Sequence, residues 1–371
     1  MLFRSVKSWG GPGQGYDWPD SNHGVTIDYK GNVWIGGNGR GPQVPAPRNE
    51  GVQAEALTSA GRFKDNEILK FTQDGKFLMQ IGKPDQSQGS NDIANLKGPA
   101  KLFIDQKTNE LYVADGYGNR RVVVFDADTG AYKRHWGAYG KRPDDAASKE
   151  ARYEGPGDPQ FNQVHHLRIS NDGLIYVADR LNRRIQVFRP DGTFIKEAFI
   201  RRNTKENAGT VSSLAFSGDP QQRFLYVADQ TENVILILDR QTFEELGTVG
   251  RLGRYAGQFV SPHNIATDAQ GNLYFSLGTL VRKVSADSGL ISTLAGGGTL
   301  VGSAADNRPA TQARLTNAMA VALDGFGGLF ICDYGGNTVS RVALATGIIN
   351  TVVGTGRAGF SGDGGLSTDA S

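Results

Sequence analysis

The chain has 371 residues, of which 38% are hydrophobic, enough to build one large repetitive domain or two ordinary domains. It contains 50 glycines, about twice the usual share of roughly 7%, which predicts many tight turns. Forty Lys and Arg residues balance 38 Asp and Glu residues without forming a basic block, and this argues against nucleic acid as a partner.

A single cysteine, Cys332, excludes an intrachain disulfide and a cysteine-based zinc site, so a metal would depend on histidines and carboxylates. No segment approaches the roughly 18 apolar residues of a membrane span, so no membrane partner is expected. The first residues lack the apolar segment of a secretion signal. The compartment therefore stays open, including secretion or a periplasmic location after removal of a leader.

A short phrase of two strands joined by a polar turn recurs six times along the chain. In each copy an alternating strand leads into a turn rich in Gly, Asn and Asp, and the second strand carries an aromatic residue followed by small residues. The copies read, in chain order, GVTIDYKGNVWIGG, KLFIDQKTNELYVADG, LRISNDGLIYVADR, LAFSGDPQQRFLYVADQ, NIATDAQGNLYFSL and AVALDGFGGLFICDY.

Two further strands follow most copies, for example RRVVVFDAD and then AYKRHWG after the second copy. Four strands per unit predict a propeller blade, and six units predict an all-β, six-bladed β-propeller in a single domain. An eight-stranded barrel or a sandwich would not explain why the same internal order returns. The blades are expected near residues 20–82, 98–137, 162–200, 211–250, 260–296 and 316–354.

Two segments, one near each end of the chain, are candidates for the same fourth strand of a blade. Residues 3–10 and 348–354 both resemble a fourth blade strand, so either the last blade has five strands or one segment lies outside the ring. Residues 355–371 echo the segment that precedes the sixth phrase, and they are interpreted as a tail or a partial repeat.

Three histidines share one position of the repeat. His23, His165 and His263 each precede the glycine of the first turn by eight residues and the anchoring aromatic residue by eleven. They belong to the first, third and fifth blades. The equivalent positions of the second, fourth and sixth blades hold Ala100, Ser212 and Met319.

This repeat position starts the innermost strand of a blade, where the strand enters the central channel. Residues from alternate blades are about 120° apart around the axis of such a ring, so three imidazoles would converge on one point. An open site of three nitrogens is typical of catalytic zinc, which keeps a fourth position for water or substrate. The alternative is that the histidines are channel residues that hydrogen-bond to water.

The loops after second strands share the mouth of the channel with the histidines, because a second strand returns to the end where the first began. This loop carries Tyr117 in the second blade and Arg180 in the third. Near a metal, a tyrosine can act as a base and an arginine can bind a carboxylate. The alternatives are a packing tyrosine and a turn arginine paired with Asp179. Residues 37–65, the longest loop at this mouth, are a candidate lid.

The phrases resemble NHL repeats, and the pieces NHGVTID, DGYGNRR, VHHLRIS, VADRLNRRIQVF and SPHNIAT resemble the lyase domain of peptidylglycine α-amidating enzymes. The resemblance covers residues 20 to about 275 and extends to bacterial NHL-repeat proteins related to that lyase. It implies a zinc ion held by the three histidines, a catalytic tyrosine at Tyr117 and an active-site arginine at Arg180. The implied reaction cleaves a peptidyl-α-hydroxyglycine into a peptide amide and glyoxylate.

Some features of that family have no direct match in this chain. A second family arginine lies upstream of the first histidine, where only Arg4 is found, and Arg40 in the long loop is the candidate substitute for substrate binding. The resemblance would place calcium on the Val25 carbonyl and on residue 264, but Asn264 replaces the family's acidic ligand. After Ser285 the repeats resemble those of extracellular bacterial repeat proteins, which suggests a scaffold.

Two functions are compatible with these patterns. The first is a zinc-dependent carbon–nitrogen lyase that acts on a small-molecule or peptide substrate at the channel mouth. The second is a non-catalytic NHL-repeat propeller that binds a protein or a carbohydrate and keeps an inherited metal site. A calcium lactonase-type propeller would require carboxylates that converge in the channel, and the shared repeat position holds none.

Overall fold

A computed structural model describes residues 13–39, 64–147, 156–204, 208–253, 255, 257–354 and 356. Within these ranges the 25 strands form six antiparallel sheets, five with four strands and one with five. Each sheet contains four strands that are consecutive in the chain, and the sheet nearest the C-terminus contains a fifth strand. The fold is the six-bladed β-propeller predicted from the repeat.

The first three blades consist of β1 (Asn22–Ile27), β2 (Val33–Gly37), β3 (Glu67–Phe71) and β4 (Phe77–Gly82); β5 (Lys101–Asp105), β6 (Glu110–Asp115), β7 (Arg121–Asp126) and β8 (Tyr132–Trp136); and β9 (Val164–Ile169), β10 (Ile175–Asp179), β11 (Arg184–Phe188) and β12 (Phe194–Phe199).

The last three consist of β13 (Ser213–Phe216), β14 (Phe224–Asp229), β15 (Val234–Asp239) and β16 (Glu245–Val249); β17 (Ile265–Thr267), β18 (Leu273–Ser276), β19 (Leu280–Val284) and β20 (Ile291–Gly296); and β21 (Arg308–Pro309), β22 (Ala318–Leu323), β23 (Gly328–Asp333), β24 (Thr338–Ala343) and β25 (Ile348–Val353). Short 3₁₀ turns cover Ala138–Gly140, Gly302–Ala305 and Ala310–Gln312.

The first strand of every blade lines the centre of the ring. The strands β1, β5, β9, β13, β17 and β22 contact one another in this order, and β22 contacts β1, so the ring is closed. Buried apolar residues form six clusters, each between two neighbouring blades. The cluster that closes the ring joins Ile35 and Leu69 of the first blade to Ala320 and Cys332 of the sixth. Each blade thus removes both of its apolar faces from water only in contact with its neighbours.

The sixth blade has five strands, but its additional strand comes from the linker that precedes it. Residues Arg308 and Pro309 of β21 pair with Ile349 and Ile348 of β25. The segment 348–354 contains β25, the fourth of the four consecutive strands that form this blade. Its competitor, residues 3–10, lies outside the described residues, as does the segment 355–371 except for Gly356.

Buried aspartates fix the loops that follow the second strands. Asp115, at the end of β6, accepts hydrogen bonds from Arg121 Nε at 2.8 Å and from the Lys97 backbone N–H at 2.9 Å. Asp179, at the end of β10, accepts a hydrogen bond from Arg184 Nε at 2.7 Å. The side chains of both ion pairs are fully buried. Charge-assisted bonds in such an interior are strong, so these loops are held firmly at the channel mouth.

Candidate metal centre

His23, His165 and His263 enter the channel from three alternate blades and meet there. Their ring centroids lie 4.8 to 5.3 Å apart. One nitrogen of each ring lies within 4.8 Å of those of the other two, and each residue is at most 4% exposed. In the part of the chain that the structure describes, this is the one group of His, Cys, Asp and Glu side chains arranged to hold a metal ion.

A backbone carbonyl of the next blade orients each imidazole. The Nδ1–carbonyl pairs are His23 with Ala100 at 3.0 Å, His165 with Ser212 at 2.6 Å and His263 with Met319 at 2.6 Å. Because a carbonyl oxygen only accepts, the proton of each neutral ring lies on Nδ1. Each Nε2 therefore presents a lone pair to the channel.

One hydroxyl of the described residues lies beside the three Nε2 atoms. The Tyr117 hydroxyl lies 2.8 Å from Nε2 of His23 and 3.0 Å from Nε2 of His165, and it can donate its proton to only one of them. The buried Nε2 of His263 has no hydrogen-bond partner among the residues that the structure describes. Buried lone pairs that face one another are costly unless a cation lies between them. Neutral imidazole is a common zinc ligand, so these residues fit a zinc ion.

Burial lowers the pKa of all three histidines. The pKa of His23 falls to about 4 because burial disfavours the imidazolium, although the hydrogen bond to Ala100 opposes the shift. The pKa values of His165 and His263 lie well below the ordinary 6.5, first because of burial and then because of neighbouring charges, which include Arg180. Neutral rings at physiological pH are the form that binds metals.

Tyr117 reaches the histidines because its loop runs close to the next blade. A Cβ atom at Gly116 would lie 2.2 Å from the backbone of Val164, the first residue of β9. Only glycine allows this approach. It places the tyrosine ring 5.0 Å from the ring of His23 and 5.6 Å from the ring of His165, measured between centroids.

Arg180 follows β10 at the corresponding point of the third blade. Its Nε donates to the Ala208 carbonyl at 2.6 Å, and its Nη2 donates to Oε1 of Gln230. Gln230 is itself held by a 2.6 Å hydrogen bond from its Nε2 to Ser261 Oγ. The guanidinium also makes a hydrogen bond and a charge interaction with Tyr117. Arg180 and Tyr117 are thus neighbours at the mouth, with Arg180 oriented from the fourth blade.

The alternative role of Arg180, a turn arginine paired with Asp179, is not what the structure shows, because Asp179 pairs with Arg184. Gln230 was not predicted from the sequence. A signal for it existed, since Gln230 follows the Ala-Asp pair of the fourth blade just as Arg180 follows that of the third.

The two residues considered for calcium, Val25 and Asn264, have other partners. The Val25 carbonyl lies 3.5 Å from the ammonium nitrogen of Lys101. Oδ1 of Asn264 accepts the backbone N–H of Val321 at 3.1 Å. Calcium needs six to eight oxygen ligands, and a buried ammonium beside one of them repels a second cation. These contacts do not fit calcium.

Arg40 lies outside the described residues, together with most of the candidate lid. His135 lies on β8, and its Nδ1 is 2.8 Å from the Tyr132 hydroxyl. Among the described residues, no helix has the length and apolar character of a membrane span.

No protein-family model matches the chain. Peptidyl-glycine alpha-amidating monooxygenase B of Xenopus laevis is 27% identical over 259 residues, which cover 68% of this chain and 24% of the frog protein. Human NHL repeat-containing protein 3 is 26% identical over 239 residues, or 63% of this chain and 55% of that protein. A probable peptidyl-alpha-hydroxyglycine alpha-amidating lyase of Caenorhabditis elegans is 26% identical over 167 residues, or 45% of this chain and 36% of that protein. The chain thus resembles amidating lyases and NHL-repeat proteins, and the matches span between about a quarter and about half of these relatives.

Solved structures share the fold. A Bacteroides thetaiotaomicron protein of unknown function superposes with a TM-score of 0.57 at 13% identity, over 91% of this chain and 70% of that chain. Virginiamycin B lyase of Staphylococcus aureus superposes with a TM-score of 0.50 at 16% identity, over 90% of this chain and 84% of that chain. At such low identities the likeness concerns the propeller architecture alone.

Proposed function

We propose that this propeller is a metal-dependent lyase that cleaves a peptidyl-α-hydroxyglycine into a peptide amide and glyoxylate at the His23, His165 and His263 centre. The convergence of three proton-free Nε2 atoms on one point, with the Tyr117 hydroxyl within 3.0 Å of two of them, carries this proposal. The resemblance to amidating lyases supports the choice of substrate.

The three histidines would hold zinc through Nε2. When bound, zinc supplies a Lewis acid that polarises the substrate hydroxyl oxygen. Their Nδ1 bonds to backbone carbonyls keep the rings in the required tautomer and orientation. The surrounding burial keeps the rings unprotonated and therefore available as ligands.

Tyr117 is the proposed base. The guanidinium of Arg180 lies next to its phenol, and a neighbouring positive charge favours the phenolate form. The phenolate takes the proton of the substrate hydroxyl, and the electron pair of that O–H bond forms the new C=O bond of glyoxylate. The C–N bond breaks, and its electron pair stays on the nitrogen. The nitrogen then receives the proton from Tyr117 and leaves as the amide, so no further reactant is consumed.

Arg180 is the proposed carboxylate ligand. Its Nε and one N–H of Nη2 are engaged by Ala208 and Gln230, which fix the plane of the guanidinium. A guanidinium has five N–H donors, so further donors are available to the carboxylate of the hydroxyglycine. The two protein contacts thus position the group before substrate arrives.

A non-catalytic propeller that binds a protein or a carbohydrate is the alternative. Such a scaffold requires the ring of blades but not three imidazoles oriented by three carbonyls around a shared point. Metal content and product formation separate the two functions.

The test uses protein prepared without a polyhistidine tag. We expect about one zinc ion per chain and release of glyoxylate from an N-acyl-α-hydroxyglycine, lost on chelation and restored by zinc. A zinc content well below one ion per chain would contradict the proposal of a metal-dependent lyase. If zinc-loaded protein releases no glyoxylate, the proposed substrate is wrong and the non-catalytic scaffold function remains.

A further inference from the structure

A second group of basic side chains lies on the inner strands beside the three histidines. Lys101 begins β5, and His166 and Arg168 belong to the neighbouring strand β9. Lys101 and His166 both occupy the repeat position directly after that of the metal-site histidines. Arg168 lies two residues further along, roughly 7 Å deeper at the usual rise of a strand. Lys101, His166 and Arg168 are named the basic cluster. None of them belongs to the three metal-site histidines.

In the part of the chain that the structure describes, two buried donors of the basic cluster have no acceptor and a third has only a long contact. Lys101 is 5% exposed, and within the described ranges its ammonium has one long polar contact, 3.5 Å to the Val25 carbonyl. His166 is 1% exposed, and its Nδ1 accepts the Leu214 N–H at 3.4 Å, so its proton lies on Nε2. Among the described residues, neither that buried Nε2 nor the buried Nε of Arg168 has a hydrogen-bond partner. Unmet buried donors of this kind are rare in native proteins and call for a bound acceptor.

No carboxylate among the described residues offsets this positive charge. Burial, and then the charge of Arg168, lower the pKa of Lys101 to about 7, and burial lowers the pKa of Arg168 to about 10. Cys332 is the one neighbour that favours the charged form of Lys101. Burial raises the pKa of this thiol to about 12, so it is neutral at physiological pH and supplies no counter-charge. The Arg168 guanidinium lies 5.9 Å from the centre of the Phe103 ring, but an aromatic ring is not a counter-charge, and buried cations without a counter-charge are strongly disfavoured.

We propose that Lys101, His166 and Arg168 bind a small monovalent anion, a halide or a small carboxylate, inside the channel. The anion accepts from Nε2–H of His166 and from Nε–H of Arg168, and it balances the ammonium of Lys101. The site uses none of the residues assigned to the proposed reaction, so it stands or falls separately from the lyase function. It also accounts for the poor fit of calcium, because this part of the channel already holds positive charge.

Anomalous diffraction locates the anion directly. Crystals of the unmodified chain, grown without halide and soaked in bromide, are expected to show an anomalous peak within hydrogen-bond distance of Lys101 Nζ and His166 Nε2. Absence of this peak at saturating bromide overturns the site. A second soak with excess formate distinguishes halides from small carboxylates. Loss of the bromide peak would show that the site also binds small carboxylates. Retention of the peak would show that it binds halides alone.

Thermal unfolding tests the same site in solution. At constant ionic strength, replacement of a bulky sulfonate by bromide should raise the Tm by several degrees once bromide reaches about 100 times its dissociation constant. The rise in Tm with bromide should disappear in Lys101→Met. It should persist in Lys83→Met, which removes an exposed lysine. Equal increments in the Lys101→Met variant and the unmodified chain would overturn the proposal. If Lys101→Met does not fold, the diffraction experiment decides.

Discussion

Nδ1 of His165 donates to the backbone carbonyl of Ser212 at 2.6 Å, and Ser212 occupies in the fourth blade the repeat position that His165 occupies in the third. The same relationship joins His23 to Ala100 and His263 to Met319. Odd blades therefore supply an imidazole, and even blades supply the carbonyl that selects its tautomer. Because only the backbone of the even blades is used, their side chains at this position are free to differ.

Removal of one imidazole should weaken metal binding without unfolding the ring. We expect His263→Ala to lower zinc affinity by at least about 100-fold, since loss of a group that merely orients a ligand already costs 10- to 100-fold. Competition with a chromophoric chelator measures the affinity. His135→Ala is the matched control, because His135 lies on an outer strand. Unchanged zinc affinity in His263→Ala would exclude this residue as a ligand.

Loss of the Tyr117 hydroxyl should separate catalysis from metal binding. Tyr117→Phe keeps the ring and removes the proposed base, so glyoxylate release is expected to fall by about 10²- to 10⁴-fold. Zinc content, measured on the same preparation, should stay unchanged because the hydroxyl is not a proposed ligand. Equal rates for the variant and the parent would reject Tyr117 as the base.

Replacement of Arg180 should act through the substrate carboxylate. In Arg180→Met we expect kcat/KM to fall by about 10- to 100-fold, the usual effect of losing hydrogen bonds to a charged group. A substrate with an amide in place of the carboxylate should lose less activity in the variant, because only the effect of the Arg180 charge on the Tyr117 phenol is then missing. Arg251→Lys, at an exposed position, serves as the control. A defect of the same size with the uncharged substrate would contradict carboxylate binding.

Glu67 should make stability depend on pH. Burial raises its pKa from 4.5 to about 8, and the charge of Asp65 adds to this shift. The folded state thus holds this proton more tightly than the unfolded chain, so stability is full below about pH 4.5 and declines as pH rises towards 8.

Glu67→Gln removes this titration. We expect its Tm to exceed that of the parent by several degrees at pH 9 and to match it near pH 4.5, measured by differential scanning calorimetry. Glu244→Gln, at an exposed position, should show no such difference. A constant difference between Glu67→Gln and the parent across this pH range would show that Glu67 does not titrate as described.

The position of the three histidines around the ring could be predicted from the sequence, because a residue's place in a repeat determines its place in a blade. The six-bladed fold followed from the same periodicity. Placing Tyr117 and Arg180 at the mouth required only the direction of the strands and the resemblance to known lyases.

Only the tertiary structure revealed the carbonyls that orient the imidazoles, Gln230 behind Arg180, and the basic cluster with its unmet donors. The carbonyl partners lie 47 to 77 residues from their histidines along the chain. Any residue type can supply a backbone carbonyl, so the sequence does not identify the acceptor. The rotation of one blade relative to the next determines which carbonyl faces each imidazole. Whether a lysine in an inner strand meets a carboxylate or remains unpaired likewise depends on what the opposite blades bring into the channel.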